Sequence, residues 1–153
     1  MTSNTALEVR PLQDSDRDDW TALWTAYLDF YGTSVPADTF ATYFDRLLGA
    51  YPQDFNGLVA VIDGKLVGLT HYLYHRHGWK VENVCYLQDL YADPSVRGMG
   101  VGRALIEAVY AAADANGTPS VYWLTQEENT EARKLYDRVA QVTDFIKYGR
   151  VAA

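Results

Sequence analysis

The stretch "VRGMGVGRAL" at residues 96–105 constrains this chain more than any other. Gly98, Gly100 and Gly102 fall on alternate positions, between a strand-like "YLQDLYADPS" and a helix-like "ALIEAVYAAADANG". A strand that hands over to a helix through so little side chain belongs to an α/β architecture. Alternate glycines leave backbone N–H groups uncovered, and the helix start adds about four unpaired donors and the positive end of its dipole. The product is a cradle for an anion, most often a phosphate. Arg97 and Arg103 flank it and would add charge-assisted hydrogen bonds. One glycine would be read as a tight turn without a ligand; three, flanked by arginines, favour the anion site.

The remaining elements follow from periodicity. "LEVRPL" (7–12) reads as a first strand, and Asp14 or Ser15 caps a helix with Trp20, Leu23, Trp24, Tyr27, Leu28 and Tyr31 on one face. A second helix is expected from Pro36 to about Leu48, with Phe40, Tyr43, Phe44 and Leu47 inward. "LVAVIDGKLVGLTHYLY" reads as a hairpin turning at Asp63-Gly64. Residues 81–92 form the next strand, and a long helix runs from about Gly100 to Asn116, ended by Asn116-Gly117. "SVYWLT" is a strand, "NTEARKLYDRVA" a helix, and "TDFIKYG" a last strand. The expected order is β-α-α-β-β-β-α-β-α-β, with no repeat, linker or domain boundary.

A chain of 153 residues with 48% hydrophobic residues supports one domain, 1–153, with a core over about 7–149. "MTSNTALEVR" has neither a basic start nor an apolar stretch, so no secretory signal is expected. No run is apolar enough for a membrane span. Cys85 is the single cysteine, which excludes an internal disulfide and suits a reducing, cytoplasmic setting. The net charge of −7 argues against nucleic acid as a partner. That charge lies in residues 1–96, with 6 Lys+Arg against 13 Asp+Glu; residues 97–153 hold 7 of each. The acidic part is either ordinary solvated surface or a field for a cationic ligand.

Two phosphate motifs fail on inspection. G-x-G-x-x-G would need a glycine where Arg103 stands, and G-x-x-x-x-G-K-[ST] has no match. The stretch does match R-x-x-G-x-G through Arg97, Gly100 and Gly102. With "LQDLYADPSV" before it and the helix after it, it resembles motif A of the GNAT superfamily of N-acetyltransferases. "YWLTQEENTEARKLYDRVA" looks like the next strand and helix of that family, in which an asparagine precedes a tyrosine by seven residues, here Asn129 and Tyr136. The short tail "VTDFIKYGR" and the stretch "YWLTQEEN" resemble most the fungal histone-and-polyamine acetyltransferase branch.

The resemblance implies a GNAT fold of the α/β (α+β) class, with a mixed central sheet of about six to seven strands and about four flanking helices. It implies acetyl-coenzyme A as co-substrate and direct acetyl transfer to a primary amine: a polyamine, an amino acid, or a protein lysine or N-terminus. Its pyrophosphate would lie on Arg97, Gly98, Met99, Gly100, Val101, Gly102 and Arg103. The pantetheine arm would lie along the backbone of Leu90, Tyr91 and Ala92, with Asn129 on its other side. Arg133 either reaches the cofactor or is solvated. Tyr136 resembles the tyrosine that donates to the leaving sulfur. Relatives are often dimers, so a homodimer is a further expectation. The acidic first 96 residues, which supply the acceptor side in this family, favour a cationic acceptor.

The chemistry asks for a proton acceptor, because a neutral alkyl amine lies about 4.6 kcal/mol uphill of its ammonium at pH 7. Several relatives carry a glutamate nine residues before the motif's arginine; here that position is Gln88. Asp89 beside it is the leading candidate, either as base or as a substrate-binding anion, with Glu82, Glu127 and the histidines behind it. His71, His75 and His77 share strand parity, yet no acidic or cysteine partner has metal-ligand spacing, so no metal is expected. Cys85 reads as a small buried hydrophobe. Two other functions compete: a non-catalytic acyl-coenzyme A sensor, disfavoured by the tyrosine, and a phosphate-binding regulator, which leaves Asn129 and Tyr136 unexplained.

Overall fold

The computed structural model describes residues 6–152; residues 1–5 and 153, the ends of the expected domain, lie outside the described residues. Among them, the elements run β1 (Glu8–Pro11), α1 (Arg17–Phe30), α2 (Ala37–Leu48), β2 (Asn56–Ile62), β3 (Lys65–His75), β4 (Val84–Ala92), α3 (Val101–Ala115), β5 (Val121–Tyr122) and α4 (Thr130–Val139). The strands form one mixed sheet in sequence order. β1 to β4 are antiparallel neighbours, and β5 joins β4 in parallel.

The turn chemistry behaves as the residues demand. Asp63 and Gly64 both take positive φ, 52° and 77°, the conformation a two-residue hairpin needs. Pro36 sits extended as the N-cap of α2. Asp16, buried at the entry to α1, takes both guanidinium nitrogens of Arg10 at 2.8 and 3.0 Å and the Gln13 N–H at 2.8 Å. This clamp ties the start of α1 to β1.

Helices cover both faces of the sheet. On one face α1 and α2 bring Trp20, Trp24, Tyr43 and Phe44 onto Val59, Val61 and Leu69. Trp20 is 1% exposed, stacks on Trp24 at 5.4 Å and meets Phe44 at 5.1 Å. On the other face Val101 and Leu105 of α3 pack on Ala60 and Val67, and Ile106 and Val109 on Tyr72, Cys85 and Leu87. Full burial of each such side chain contributes about 1.5–3 kcal/mol. Cys85 is buried, and burial pushes its thiol up to about 12. Among the described residues no helix is long and apolar enough to cross a membrane.

The sheet has five strands, not the expected six to seven. "TDFIKYG" (143–149) forms no strand; it runs extended beyond α4 with Phe145 76%, Ile146 77% and Tyr148 90% exposed. A strand exists only through a ladder with a neighbour, and none forms with this segment among the described residues. The expected strand "SVYWLT" shrinks to Val121–Tyr122 for the same reason: only these residues pair with β4.

Gly68 shows how closely α3 approaches. A Cβ there would meet Val101 Cγ1 at 2.9 Å, the Tyr91 carbonyl oxygen at 3.0 Å and Leu105 Cδ1 at 3.1 Å. Gly68→Ala should therefore cost about 1–3 kcal/mol by overpacking, read as a lower urea midpoint with an unchanged slope; wild-type stability would show that α3 sits further from β3.

Candidate active site

The site grows from the parting of β4 and β5. Their pairing covers Cys85–Val121 and Tyr86–Tyr122 and then stops. From Leu87 to Ala92, β4 is paired on its β3 side alone. The Asp93 N–H donates to the Val67 carbonyl at 2.8 Å, and antiparallel ladders alternate. The backbone groups of Leu90 and Ala92 therefore point away from β3, toward the open edge, while those of Tyr91 point to β3. The sequence expectation of Leu90, Tyr91 and Ala92 lining a ligand arm thus resolves by residue: Leu90 and Ala92 offer backbone to the edge, and Tyr91 directs its ring toward Tyr27 of α1 at 6.4 Å.

The edge ends at the glycine loop. Gly98 and Gly100 adopt φ of 84° and 78°, and a Cβ at either would stand in open space. They are needed for the backbone they permit. Gly102 differs: its Cβ would press Leu135 Cδ2 at 3.2 Å, so this glycine lets α4 approach α3. The first backbone bond into α3 is from Ala104 N–H to the Gly100 carbonyl at 3.0 Å. Among the described residues, the N–H groups of Gly98, Gly100, Val101, Gly102 and Arg103 donate to no backbone carbonyl, which leaves the anion cradle intact.

The arginines divide. Arg97 makes no ion pair among the described residues, and its charge is felt at Tyr91 and Glu131. Arg103 pairs with Glu107 along α3 at 2.7 Å. Arg133 donates to the Glu127 carbonyl at 2.8 Å and so braces the loop before α4. Met99, exposed, packs no core cluster.

Asn129 precedes α4, the helix that follows β5, and Tyr136 lies within it. Asn129 occupies the N-cap position of α4, with its amide donating to Thr125 Oγ1 at 3.3 Å. Tyr136 lies two turns along, half-buried, its ring edge-on to Trp123 at 5.4 Å. Burial, with Tyr31 at the end of α1 adding to it, pushes the Tyr136 hydroxyl up to about 12. Tyr136 also borders a cavity of about 750 Å³ beside β5, walled by Trp79, Trp123, Phe145 and Ile146. No residue of the glycine loop lines that cavity.

Asp89 sits one residue before Leu90 and faces the helices α1 and α2. It is 6% exposed and forms part of the wall of a second cavity, of about 520 Å³, with Trp24, Tyr43, Arg46, Phe55 and Gln88. His71 Nδ1 lies 2.7 Å from its Oδ2, and the Tyr43 hydroxyl donates to the same oxygen at 2.6 Å. Thr70 Oγ1 donates to its backbone carbonyl at 2.8 Å. Burial alone would raise the Asp89 carboxyl; the interaction with His71 and the hydroxyls of Tyr43 and Tyr27 outweigh it and hold the carboxyl below its ordinary value. The carboxylate in turn raises Tyr27 and Tyr43, on top of their burial.

Sequence reasoning missed Tyr43, Tyr27 and Trp20 as parts of this site and read them as core. Their one signal was a polar His-Thr pair inside the apolar run "LVGLTHYLY". The register shift opposite His71 and Tyr72 puts its extra residue, Gln88, on β4, so His71 and His75 keep their shared strand parity. They do not meet: His71 bonds Asp89, and His75 meets the Tyr122 hydroxyl at 2.7 Å. Glu82 and Glu127 make no contact with this cavity wall.

Comparison with known proteins gives this geometry a family. The family model for "Acetyltransferase (GNAT) family" matches residues 19–140. The chain is 38% identical over 148 residues to "D-amino-acid N-acetyltransferase HPA3" of Saccharomyces cerevisiae, covering 96% of this chain and 92% of that one. That relative is fungal, as the resemblance implied, but its name gives D-amino acids as the acceptors, not histones or polyamines. In structure the chain resembles the aminoglycoside N-acetyltransferase AAC(6')-Iy in complex with CoA, at TM-score 0.83, 20% identity, and 100% and 99% coverage. It also resembles a ribosomal-protein-alanine N-acetyltransferase from Brucella melitensis biovar Abortus 2308, at TM-score 0.76, 19% identity, and 96% and 100% coverage. The chain belongs to the acetyltransferase (GNAT) family and is an acetyl-coenzyme A-dependent N-acetyltransferase.

Proposed function

We propose that this chain, acting as a single N-acetyltransferase domain, moves the acetyl group of acetyl-coenzyme A directly onto a small primary amine bound between α1, α2 and β4. The observation that carries the reading is the open edge of β4, with a glycine-capped helix start at one end and Tyr136 on the helix that follows β5. The pyrophosphate would rest on the N–H groups of Gly98, Gly100, Val101, Gly102 and Arg103, with Arg97 beside them; the Met99 N–H is taken by the Val96 carbonyl at 3.1 Å. The pantetheine arm would add to the β4 edge like an extra strand, reading the backbone of Leu90 and Ala92, with Asn129 opposite.

The amine nitrogen attacks the thioester carbonyl carbon, the C–S bond breaks, and coenzyme A leaves as thiolate while the nitrogen's proton passes to water. An N–H of the β4 edge offers the oxyanion a donor. Tyr136, at about 12, stays protonated throughout the working range. Against an ordinary thiol near 8.5, full proton transfer to sulfur would be uphill by about 5 kcal/mol. Its role is to hydrogen-bond the developing thiolate. Asp89, held low, is a weak base, so it suits anchoring the acceptor's cationic group better than removing its proton.

The acceptor reading follows the walls of the Asp89 cavity. Asp89 and Asp38 suit an ammonium, and Arg46, which makes no ion pair among the described residues, suits a carboxylate. An amino acid carries both groups, and the yeast relative's name supports that reading. A polyamine is the second reading, favoured by the two carboxylates and the acidic first 96 residues. Thiol release across D-amino acids, L-amino acids and polyamines separates them. Arg46→Ala should raise KM for an amino acid while leaving a simple polyamine unaffected.

Three outcomes test the assigned roles. Acetyl-coenzyme A at 100 times its Kd should stabilise the fold by about 2.7 kcal/mol, and Gly100→Ala should remove most of that gain, because a side chain at φ 78° strains the cradle. An unmoved melting temperature in the wild-type protein would defeat the cofactor assignment. Tyr136→Phe should lower kcat about 10- to 1,000-fold with acetyl-coenzyme A affinity retained; wild-type turnover where chemistry limits would remove Tyr136 from the reaction. Asp89→Asn should raise acceptor KM with the kcat–pH profile kept, whereas a rate that recovers only near the amine's own pKa would make Asp89 the base.

A further inference from the structure

His71 is 1% exposed and has no role in the chemistry described above. It sits in a chain of hydrogen bonds drawn from four elements. The Trp20 indole N–H, on α1, donates to His71 Nε2 at 2.9 Å. An indole nitrogen only donates, so Nε2 must present its lone pair. The ring proton is then on Nδ1, which donates to Asp89 Oδ2 at 2.7 Å across the β3–β4 ladder. Tyr43, from α2, donates to that same oxygen at 2.6 Å. Both of these bonds fall on Oδ2, and the Tyr27 hydroxyl adds its own interaction with the carboxylate.

A histidine bonded to an aspartate ordinarily suggests a proton relay. Here that reading meets an obstacle. A second ring proton would sit on Nε2 and point at the Trp20 N–H, two donors facing each other at 2.9 Å inside the core. We propose that His71 is a positioning residue of the acceptor site: Trp20 locks it as the neutral Nδ1–H tautomer, and in that form it aims the Asp89 carboxylate at the acceptor's ammonium and takes no proton itself. The inference rests on the reading that Asp89 meets the amine.

The groups around the pair do not confuse its pH response. His71 meets Trp20 from α1, Tyr43 from α2 and Asp89 from β4. Asp89 in turn faces Tyr27 and Tyr43, and its charge reaches Tyr31 and Tyr86. Burial and that charge raise all four tyrosines above their ordinary value, so none ionises across the pH range of the test. Asp38 and Arg46 complete the cavity wall.

The test reads the tautomer and amine binding separately, so it does not depend on turnover. Nitrogen-15 spectra of the wild-type protein at pH 7 should show His71 Nδ1 protonated and Nε2 unprotonated; the opposite tautomer or an imidazolium overturns the proposal. Amine affinity is then measured by calorimetry on the complex with coenzyme A, using whichever amine the acceptor panel identifies, or D-alanine and spermidine if none turns over. His71→Leu, which removes the donor, should weaken amine binding about tenfold or more, with coenzyme A affinity unchanged. His71→Asn, whose amide can donate from the Nδ1 position, should restore most of it. Unchanged amine affinity in His71→Leu, or a loss that Asn fails to restore, overturns the positioning role. Trp20→Phe frees Nε2, so amine binding should weaken as pH falls from 8 to 5.5, where the wild-type protein stays flat. A wild-type protein with the same acid-side loss overturns the lock. Amine binding without turnover would instead count against the proposed reaction and leave the His71 role standing.

Discussion

Everything functional in this fold depends on two strands that part. Among the described residues, β4 and β5 pair at Cys85–Val121 and Tyr86–Tyr122, the Cys85 N–H reaches the Ser120 carbonyl at 2.8 Å, and no pairing with β5 continues from Leu87 to Ala92. Continued pairing would have satisfied the backbone of Leu90 and Ala92 internally, and an extended ligand would find no free edge. Leaving those groups unpaired in a buried place would cost free energy. At the rim of a cleft, water meets them until a ligand does. The parting also sends α3 and α4 out from neighbouring strands, the one opening with the uncovered N–H groups of the glycine loop and the other carrying Tyr136.

The two faces of the sheet then divide the labour. The face under α3 is nearly all hydrocarbon, from Val101 to Ala113, and it fixes the glycine loop relative to β4. The face under α1 and α2 holds a buried anion. Asp89 is tolerable there because donors from β3 and α2 reach it and Trp20 orders the histidine behind it. A carboxylate buried without such bonds would take up a proton. Trp20 thus serves two purposes: it is the centre of the aromatic cluster and the last donor in a polar chain.

Local patterns made much of this legible. The helical faces of α1 and α2, the Asp63-Gly64 turn and the glycine-led start of α3 each follow from residues a few positions apart. The count from Arg97 fell on Gln88 and drew attention to Asp89 beside it. The last strand was not legible: "TDFIKYG" has strand-like residues, but pairing belongs to a neighbour, and no local pattern reports one. The Trp20–His71–Asp89 chain spans separations of 51 and 18 residues and sits beside a bulge at Gln88 in β4. Neither helix rotation nor a bulge leaves a signature in a single sequence. The separate reasons for the three glycines were hidden as well, since conformational need at Gly98 and Gly100 looks the same on paper as close packing at Gly102.

The missing side chain of Gly68 has a consequence for how such a protein can change over evolutionary time. Because α3 rests against β3 with no room for a methyl group, the half that would hold the cofactor behaves as one solid piece, and few substitutions there are neutral. The rim of the Asp89 cavity is different: Asp38, Thr39, Thr42 and Arg46 are exposed positions on the outer side of α2. Replacing them disturbs little packing. New acceptor preferences can therefore be sampled one surface residue at a time, on an unaltered catalytic frame.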